Sequence, residues 1–297
     1  MILALTASAA SAAPTPVSSC GTLDSPGAYA LSSDLATFDA SCIDIAASDV
    51  RLDLAGHAIT CTGAGFAGSC QTAAFGPTGV TVASGRSGVA VIGPGRLSGF
   101  DNGVAVFDSD ALVKGVTVAG PLPCDPASCE RPVSNAILVR GRSSVNVSGN
   151  EVSGYQRGVR LFITDCAGTC VVNGNRAYDN SCNGIALEEA TGFTVTRNIV
   201  FANGSDACFP TAGIGLAQAS GNLIANNDVS RNHVFGLGVA PETNGNAFVN
   251  NTALDNALAD LRAFPGTSNF WNDNNRCETE SGRCPRASAT QGNRDGE

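Results

Sequence analysis

The chain has 297 residues, 43% of them hydrophobic, and its 26 acidic residues outnumber 17 basic ones to give a formal net charge of −9. Proteins that bind nucleic acid usually present a basic face, so this charge argues against a nucleic-acid partner. No apolar run approaches the roughly 20 residues that a membrane-spanning helix needs.

The two ends of the chain differ in composition from the part between them. Residues 1–13 are rich in Ala and Ser and contain Ala10-Ser11-Ala12, an A-x-A pattern typical of the cleavage site of a secretion signal, here without a preceding basic residue, as in a truncated signal. Residues 285–297 are polar without apolar periodicity, which predicts a disordered tail. Residues 20–284 are expected to form one domain.

The first elements of that domain are predicted strands. The segment 26–31 follows a turn, and Ile43-Asp44-Ile45 and residues 50–54 alternate apolar and polar side chains, which is typical of half-buried strands. Together they predict a first coil that closes one end of the domain.

A short strand signature then repeats, in which Gly is followed by an aliphatic residue, any residue, and Leu or Val. Copies begin at Gly79, Gly103, Gly158, Gly184, Gly213 and Gly236, and Ala136 fills the one gap. The steps of 22 to 33 residues are typical of a solenoid. Three short strands per turn, stacked about 4.8 Å apart, predict an all-β parallel β-helix of about eight or nine coils.

Asparagine pairs five residues apart follow the later copies, at Asn175 and Asn180, Asn198 and Asn203, Asn227 and Asn232, and Asn251 and Asn256. Asparagines at one angular position can bond to each other and to the neighbouring backbone, and they tolerate the left-handed conformation that tight corners need. We therefore expect them to have a structural role first.

Twelve cysteines fit an exported protein with disulfide-stapled loops. The spacing predicts the pairs Cys61–Cys70, Cys124–Cys129, Cys166–Cys170, Cys277–Cys284, Cys182–Cys208 and, by remainder, Cys20–Cys42. Zinc binding is the alternative, but His57 and His233 are the only histidines, which favours disulfides. The expected location is secreted or periplasmic.

The stretch from Val50 to Ile59, followed by the Gly-Ile-x-Leu and Asn-rich coils, resembles the right-handed parallel β-helix proteins of the pectate-lyase-like superfamily. The spacing Asn-x-x-x-x-Asn-x-x-x-Gly-Ile is similar to that of the subgroup containing the nitrous-oxide-reductase accessory protein and the mannuronan epimerases. The resemblance covers residues 20–284 and implies a fold, not an activity.

Three insertions enlarge the coils just before a Gly-Ile-x-Leu strand, at residues 60–78, 119–135 and 204–212. Equal register puts them on one edge, and their cysteines predict stapled walls. A groove over the coils between residues 136 and 190 is the expected binding surface.

Outward positions on this surface supply the candidate site. The third position of the signature carries one charge, Arg160, and the next outward column places Arg140 and Glu188 on either side of Phe162. Arginine forks bind carboxylates and aromatic rings stack on sugars, so this set predicts binding of an acidic polysaccharide. Three further residues are expected to line the edge of the patch: Tyr155, Arg157 and Asp165.

The leading enzyme hypothesis is a polysaccharide lyase that acts on uronic-acid-containing glycans. Arg140 would neutralise the uronate, Arg160 would act as the base, and Glu188 completes the catalytic set. The alternative for Arg160 and Glu188 is an exposed ion pair across neighbouring coils. The alternative for the protein is a non-catalytic extracellular binding or structural solenoid.

Other chemistries find less support. Glu188 and Glu189 are adjacent on a strand, so they cannot face each other across a glycosidic bond as hydrolysis requires. No Asp-Asp dipeptide of the polygalacturonase type is present, and Asp125-Pro126 continues differently from the Asp-Pro-His-Glu stretch of mannuronan epimerases.

No cofactor is required by these patterns. Copper delivery, which the accessory-protein resemblance implies, would need His, Met or free thiolate ligands, and the only methionine is Met1. Calcium could bind at turn aspartates, namely Asp101, Asp179 and Asp206, although no dedicated loop motif is present. His233 is a weak candidate at the groove edge, and His57 is expected to pair within the N-terminal cap.

Overall fold

The computed structural model describes residues 13–71, 76–120, 133–205, 208, 211–263, 267–272 and 274–277. These residues form short strands and one 3-10 turn at Phe66–Gly68. In chain order the strands are β1 Thr15–Val17, β2 Gly21–Leu23, β3 Gly27–Leu31, β4 Leu35–Phe38, β5 Ile43–Ile45, β6 Val50–Asp53, β7 Ala58–Thr62, β8 Thr78–Val82, β9 Val89–Ile92, β10 Arg96–Ser98, β11 Asn102–Phe107, β12 Asp110–Lys114, β13 Thr117–Ala119, β14 Asn135–Arg140, β15 Ser144–Ser148, β16 Glu151–Ser153, β17 Arg157–Asp165, β18 Val171–Asn173, β19 Arg176–Tyr178, β20 Asn183–Thr191, β21 Thr194–Thr196, β22 Ile199–Phe201, β23 Ala212–Ala217, β24 Leu223–Ala225, β25 Phe235–Val239, β26 Ala247–Val249, β27 Thr252–Ala253, β28 Ala259–Ala263, β29 Phe270–Trp271 and β30 Arg276–Cys277.

Successive strands belong to three different sheets in turn, as expected for a coil with three sides. Sheet A has the order β1-β3-β6-β9-β12-β15-β18-β21-β24-β26-β29, and sheet B has the order β2-β5-β8-β11-β14-β17-β20-β23-β25-β28. Sheet C has the order β22-β19-β16-β13-β10-β7-β4, and bridges through Asp228 extend this side to β27 and β30. Neighbouring strands pair in parallel. The protein is a right-handed parallel β-helix, as the sequence predicts.

Sheet B contains the repeated signature and has ten strands in the part of the chain that the structure describes. This is slightly more than the predicted eight or nine coils. The terminal strands β2 and β28 read Gly-Thr-Leu and Ala-Asp-Leu-Arg-Ala, so neither carries the full signature by which the coils were counted.

The signature is explained by packing at the start of each strand. The second and fourth positions fill the core, where Ile185 and Leu187 have no exposed surface. The preceding Gly184 lies where the chain turns in from sheet C, and a Cβ atom there would meet the Val200 side chain and approach the Asn203 amide nitrogen to 2.8 Å. Glycine is therefore selected by close approach between coils, because real Cβ atoms do not tolerate such contacts.

Two asparagine ladders run along the corners that flank sheet C. In the first, Asn175 Nδ2 donates to Asn198 Oδ1 at 3.0 Å, and Asn198 Nδ2 donates to Asn227 Oδ1 at 2.9 Å. Each amide also bonds to the backbone of the previous coil, as Asn198 Nδ2 does to the Val172 carbonyl at 2.9 Å. The members of this ladder are Asn150, Asn175, Asn198, Asn227, Asn251 and Asn275. The second ladder contains Asn180, Asn203, Asn232 and Asn256 and ends on Asp260.

The ladders confirm the predicted structural role but correct one detail. The left-handed residue at each corner is the one before the asparagine, such as Gly174 at φ +62° or Arg197 at φ +54°. The asparagines themselves are free to point inward, because the preceding residue makes the turn. Their value is hydrogen bonding rather than tolerance of positive φ.

The predicted disulfides are confirmed wherever both cysteines are described. These pairs are Cys20–Cys42, Cys61–Cys70, Cys166–Cys170 and Cys182–Cys208. Cys277 is also disulfide-bonded, but its predicted partner Cys284 lies outside the described residues, as do Cys124 and Cys129. The strands before and after the insertions at 60–78, 119–135 and 204–212 belong to sheet C and to sheet B respectively, so the described ends of all three lie on one edge, as predicted.

The N-terminal region caps the coil stack through β1 to β5. His57 Nδ1 lies 3.2 Å from Asp34 Oδ1, which also accepts the Ala58 N–H at 2.9 Å, so His57 pairs within the cap as expected. No helix in the described ranges is long and apolar enough to cross a bilayer. The predicted signal, apart from Ala13, and the predicted tail at 285–297 lie outside the described residues.

Candidate functional site

The outer face of sheet B changes from coil to coil. One outward column is fixed by strand register and contains Leu138, Arg160, Ala186, Gly215, Gly238 and Arg262 in consecutive strands. At its N-terminal end the column is closed, since Leu138 is buried. Toward the C-terminal end it passes through three small residues and opens.

Glu188 joins two arginines from the preceding strand into a compact cluster. Its Oε1 accepts Arg157 Nε at 2.7 Å, and its Oε2 accepts Arg160 Nε at 3.0 Å and Nη2 at 2.5 Å. The ion pair that the sequence left as an alternative therefore exists, but it is not exposed, because the Arg160 side chain keeps 10% of its surface and that of Glu188 keeps 21%. One carboxylate shared by two guanidinium groups leaves the cluster with a net positive charge.

Phe162 extends this cluster toward β14. The Arg160 guanidinium carbon lies 3.9 Å from the centre of the Phe162 ring, and that of Arg140 lies 5.5 Å from it. Strand register places Arg140 and Glu188 on opposite sides of Phe162, as predicted. Cation–π contacts of this kind favour fixed positions of the guanidinium groups above the sheet.

A recess of about 160 Å³ lies next to the cluster on the same face. Small residues form its floor: Ala186, Gly215, Ala217, Gly238 and Ala240. Its walls are Arg157, Asn183 and Glu188 at one end, Phe235 and Arg262 at the other, and Cys208 and Thr211 along the stapled edge. The recess exists because this part of the face is made of glycines and alanines, whose side chains are too small to fill it.

Asn183 helps to shape the recess from the strand that also carries Glu188. Its Nδ2 donates to the Ala212 carbonyl at 2.9 Å, and a Cβ atom on Gly215 would lie 2.5 Å from that nitrogen. Glycine at position 215 thus allows the amide to lie flat on the neighbouring strand. The floor is backbone and methyl groups, with polar groups around it.

Burial governs the electrostatics of the guanidinium group at the recess wall. It lowers the pKa of Arg157 from the ordinary value, the carboxylate of Glu188 opposes that change, and the like charge of Arg160 adds to it. A desolvated cation that shares its partner with a second cation favours a further anion nearby.

The structure separates the remaining predicted site residues. Tyr155 is fully buried in the core, so it does not line the edge of the patch; it lies at an inward position just after a corner. Asp165 is exposed but follows Ile163, whose φ of +47° turns the strand away from the cluster. His233 is exposed at a corner, where its backbone N–H donates to the Asn203 carbonyl.

Sequence reasoning placed the groove over residues 136–190, and the recess overlaps this range from Arg157 to Glu188 and continues to Arg262. It missed Asn183, Phe235 and Arg262. The signal for Arg262 was present, because it stands one register step after Gly238. It was overlooked because β28 lacks the Gly-Ile-x-Leu opening.

Comparison with known proteins adds family membership. The profile of the family described as periplasmic copper-binding protein (NosD) matches residues 124–292, more than half of the chain. The chain belongs to the NosD family. Together with the disulfides this places the protein in a secreted or periplasmic location. Comparison with curated proteins found no match.

Solved structures share the fold of this NosD-family chain at low identity. The periplasmic alginate epimerase AlgG is 13% identical, with 85% of this chain and 77% of that chain covered and a TM-score of 0.52. A tailspike protein mutant of E. coli bacteriophage HK620, solved with a hexasaccharide, is 14% identical over 85% and 47% of the two chains, with a TM-score of 0.55. DFA-IIIase from Arthrobacter chlorophenolicus A6, without its lid, is 16% identical over 85% and 77%, also with a TM-score of 0.55.

The copper in the description of the NosD family was tested against the donor atoms of this chain. Within the described ranges no group of three His, Cys, Asp or Glu side chains is placed to hold a metal ion. The described cysteines all form disulfides. His57 is engaged with Asp34. These residues do not fit a copper site, so no step is derived through copper.

The calcium prediction gains no support from the same residues. Asp101 is fully buried, and Asp179 stands alone at a left-handed corner. The third candidate, Asp206, lies outside the described residues. Calcium prefers six or more oxygen ligands, which these separated positions do not supply together.

Proposed function

We propose that this NosD-family protein binds a uronic-acid-containing glycan along the outer face of sheet B. The recess flanked by Arg157, Glu188 and Arg262 is the observation that carries the proposal. A floor of small residues admits a sugar ring, and guanidinium forks bind carboxylates with two parallel hydrogen bonds. The alginate epimerase and the tailspike solved with a hexasaccharide share this fold, which is consistent with this use.

Charge supports an acidic rather than a neutral glycan. The chain as a whole is acidic, with a net charge of −9, yet the outer face of sheet B carries Arg140, Arg157 and Arg160 near one carboxylate, Glu188, and Arg262 three strands farther along. Such a positively charged patch on an otherwise acidic surface attracts anions and repels cations.

Lyase activity is the second candidate, because the cluster combines a carboxylate with arginines. In β-elimination a base takes the C5 proton, the C4–O bond breaks, and a C4–C5 double bond forms while the leaving oxygen gains a proton. Arg140 would neutralise the uronate carboxylate. Arg160 is unsuited to be the base, since a guanidinium cation has donors only and this one binds Glu188; Glu188 is the group in the cluster with acceptor oxygens.

Calorimetric titration with oligogalacturonate, oligomannuronate and their methyl esters tests the proposal. We expect the acidic sugars to bind, the neutral esters to bind at least tenfold more weakly, and added salt to weaken the acidic sugars. Arg157→Ala should weaken binding about tenfold or more, because a charged hydrogen bond contributes roughly 1.5–3 kcal/mol.

The control is Arg96→Ala, which removes the same charge from the exposed outer side of sheet C. Equal loss in both variants would mean that only net charge matters and would contradict the site. Unsaturated-uronate absorbance, followed in the same samples, decides between binding alone and lyase activity. Absence of binding to every sugar would overturn the proposed function.

A further inference from the structure

The recess is elongated along the axis of the β-helix. Its lining comes from five consecutive strands of sheet B, from Arg157 on β17 to Arg262 on β28. In the outward column, Arg160 and Arg262 are separated by Ala186, Gly215 and Gly238. Four strand steps of about 4.8 Å place the two arginine positions roughly 19 Å apart.

Arginine side chains lie at the two ends of the recess, and the floor between them carries no charged group. At the first end, Arg157 and Arg160 share Glu188, so the cluster keeps a net charge of +1. At the second end Arg262 is exposed and lines the recess beside Phe235. Between them the floor offers methyl groups and backbone only, so anionic groups on a ligand are recognised at the ends.

We propose that the recess measures the length of an anionic oligosaccharide, with Arg262 as the residue that recognises its far carboxylate. This rests on the proposed function. An extended pyranose chain advances by about one sugar for each strand step, so a ligand must have about five sugars to reach both ends. Shorter acidic oligosaccharides bind at the Arg157 end alone.

Unbranched oligouronates of three to seven sugars test this by titration against the wild type, Arg262→Gln and Arg262→Lys. For the wild type we expect a step of about tenfold in affinity between four and six sugars. Arg262→Gln should lose that step, so that the hexamer binds like the trimer. Arg262→Lys keeps the charge and should keep most of the step.

The control is again Arg96→Ala, which should leave the length profile intact. A step that persists in Arg262→Gln, or a wild-type affinity independent of length, overturns the inference and leaves the proposed function standing. If neither trimer nor hexamer binds the wild type, the proposed function itself fails. Equal melting temperatures of the three proteins show that the comparison is made on folded chains.

Discussion

The asparagine corner and the outer face of sheet B use the same coils in opposite ways. At the corner the same residue recurs on six successive coils from Asn150 to Asn275 and makes the same bonds each time. On the outer face a single column changes from Leu138 to Arg160, to small residues, and to Arg262. The repeated corner residues therefore determine the fold, and the residues that vary at fixed register positions form the site.

Removing one ladder member should produce the largest loss of stability. Asn198→Ala removes the acceptor of the Asn175 backbone and side-chain N–H groups and the amide donor to the Val172 carbonyl. Each buried group left unsatisfied costs about 1–3 kcal/mol, so we expect a loss of at least about 3 kcal/mol in the free energy of unfolding. Denaturant unfolding measures it.

The matched control is Asn146→Ala, which removes an exposed asparagine from the outer side of sheet A. It should change stability by less than about 0.5 kcal/mol. Similar losses in the two variants would contradict the distinction between the ladder and ordinary surface asparagines.

A change on the outer face should cost less stability than one in the ladder. Glu188→Gln keeps the shape of the side chain but removes the charge that pairs Arg157 with Arg160. The glutamine carbonyl oxygen still accepts a hydrogen bond from the guanidinium groups, and each side chain keeps 10% to 21% of its surface, so we expect a loss of about 1–2 kcal/mol. A loss as large as that of Asn198→Ala would mean that the cluster serves the fold, and the comparison would break down.

The smallest effect is expected at the exposed cap. The Ala58 N–H and then His57 hold the pKa of Asp34 below its usual range. A lowered pKa in the folded state adds stability above the unfolded value of about 3.9, and this is lost as pH falls through the folded value. Asp34→Asn should therefore lower the melting temperature slightly at pH 7 and leave it unchanged near pH 2.

Exposed Ser33→Ala serves as the neutral reference for this measurement. A difference between wild type and Asp34→Asn that persists undiminished at low pH would show that the charge of Asp34 is not its cause. In that case, the losses of stability in the ladder, the cluster and the cap would follow the burial of their polar groups only if the predictions for Asn198→Ala and Glu188→Gln both hold.

The fold could be predicted because the same sequence patterns recur from coil to coil. Gly-Ile-x-Leu recurs on most coils and the paired asparagines recur on the later ones, so an error at a single coil does not matter. Close spacing predicted most of the disulfides, and equivalent positions on adjacent coils predicted Cys182–Cys208. The site could be predicted only in part. Arg157, Arg160, Phe162 and Glu188 come together because strand register is regular.

The errors arose where the chain departs from that regularity. Tyr155 follows a corner and points inward, and the left-handed Ile163 separates Asp165 from the cluster. The C-terminal part of the recess was not predicted, because its depth depends on the small residues Gly215 and Gly238 and on Arg262 in an atypical coil. Small residues that leave space on a surface do not form a recognisable sequence motif.

The even spacing of the strands in sheet B has a consequence for any polymer that lies across them. A perfectly periodic surface would accept a periodic chain equally well in every frame, so the chain could slide by one coil without penalty. The bulky side chains of Arg160 and Phe162 break this translational symmetry at one end of the recess. It gives the surface a fixed origin from which the frame of a bound chain is defined.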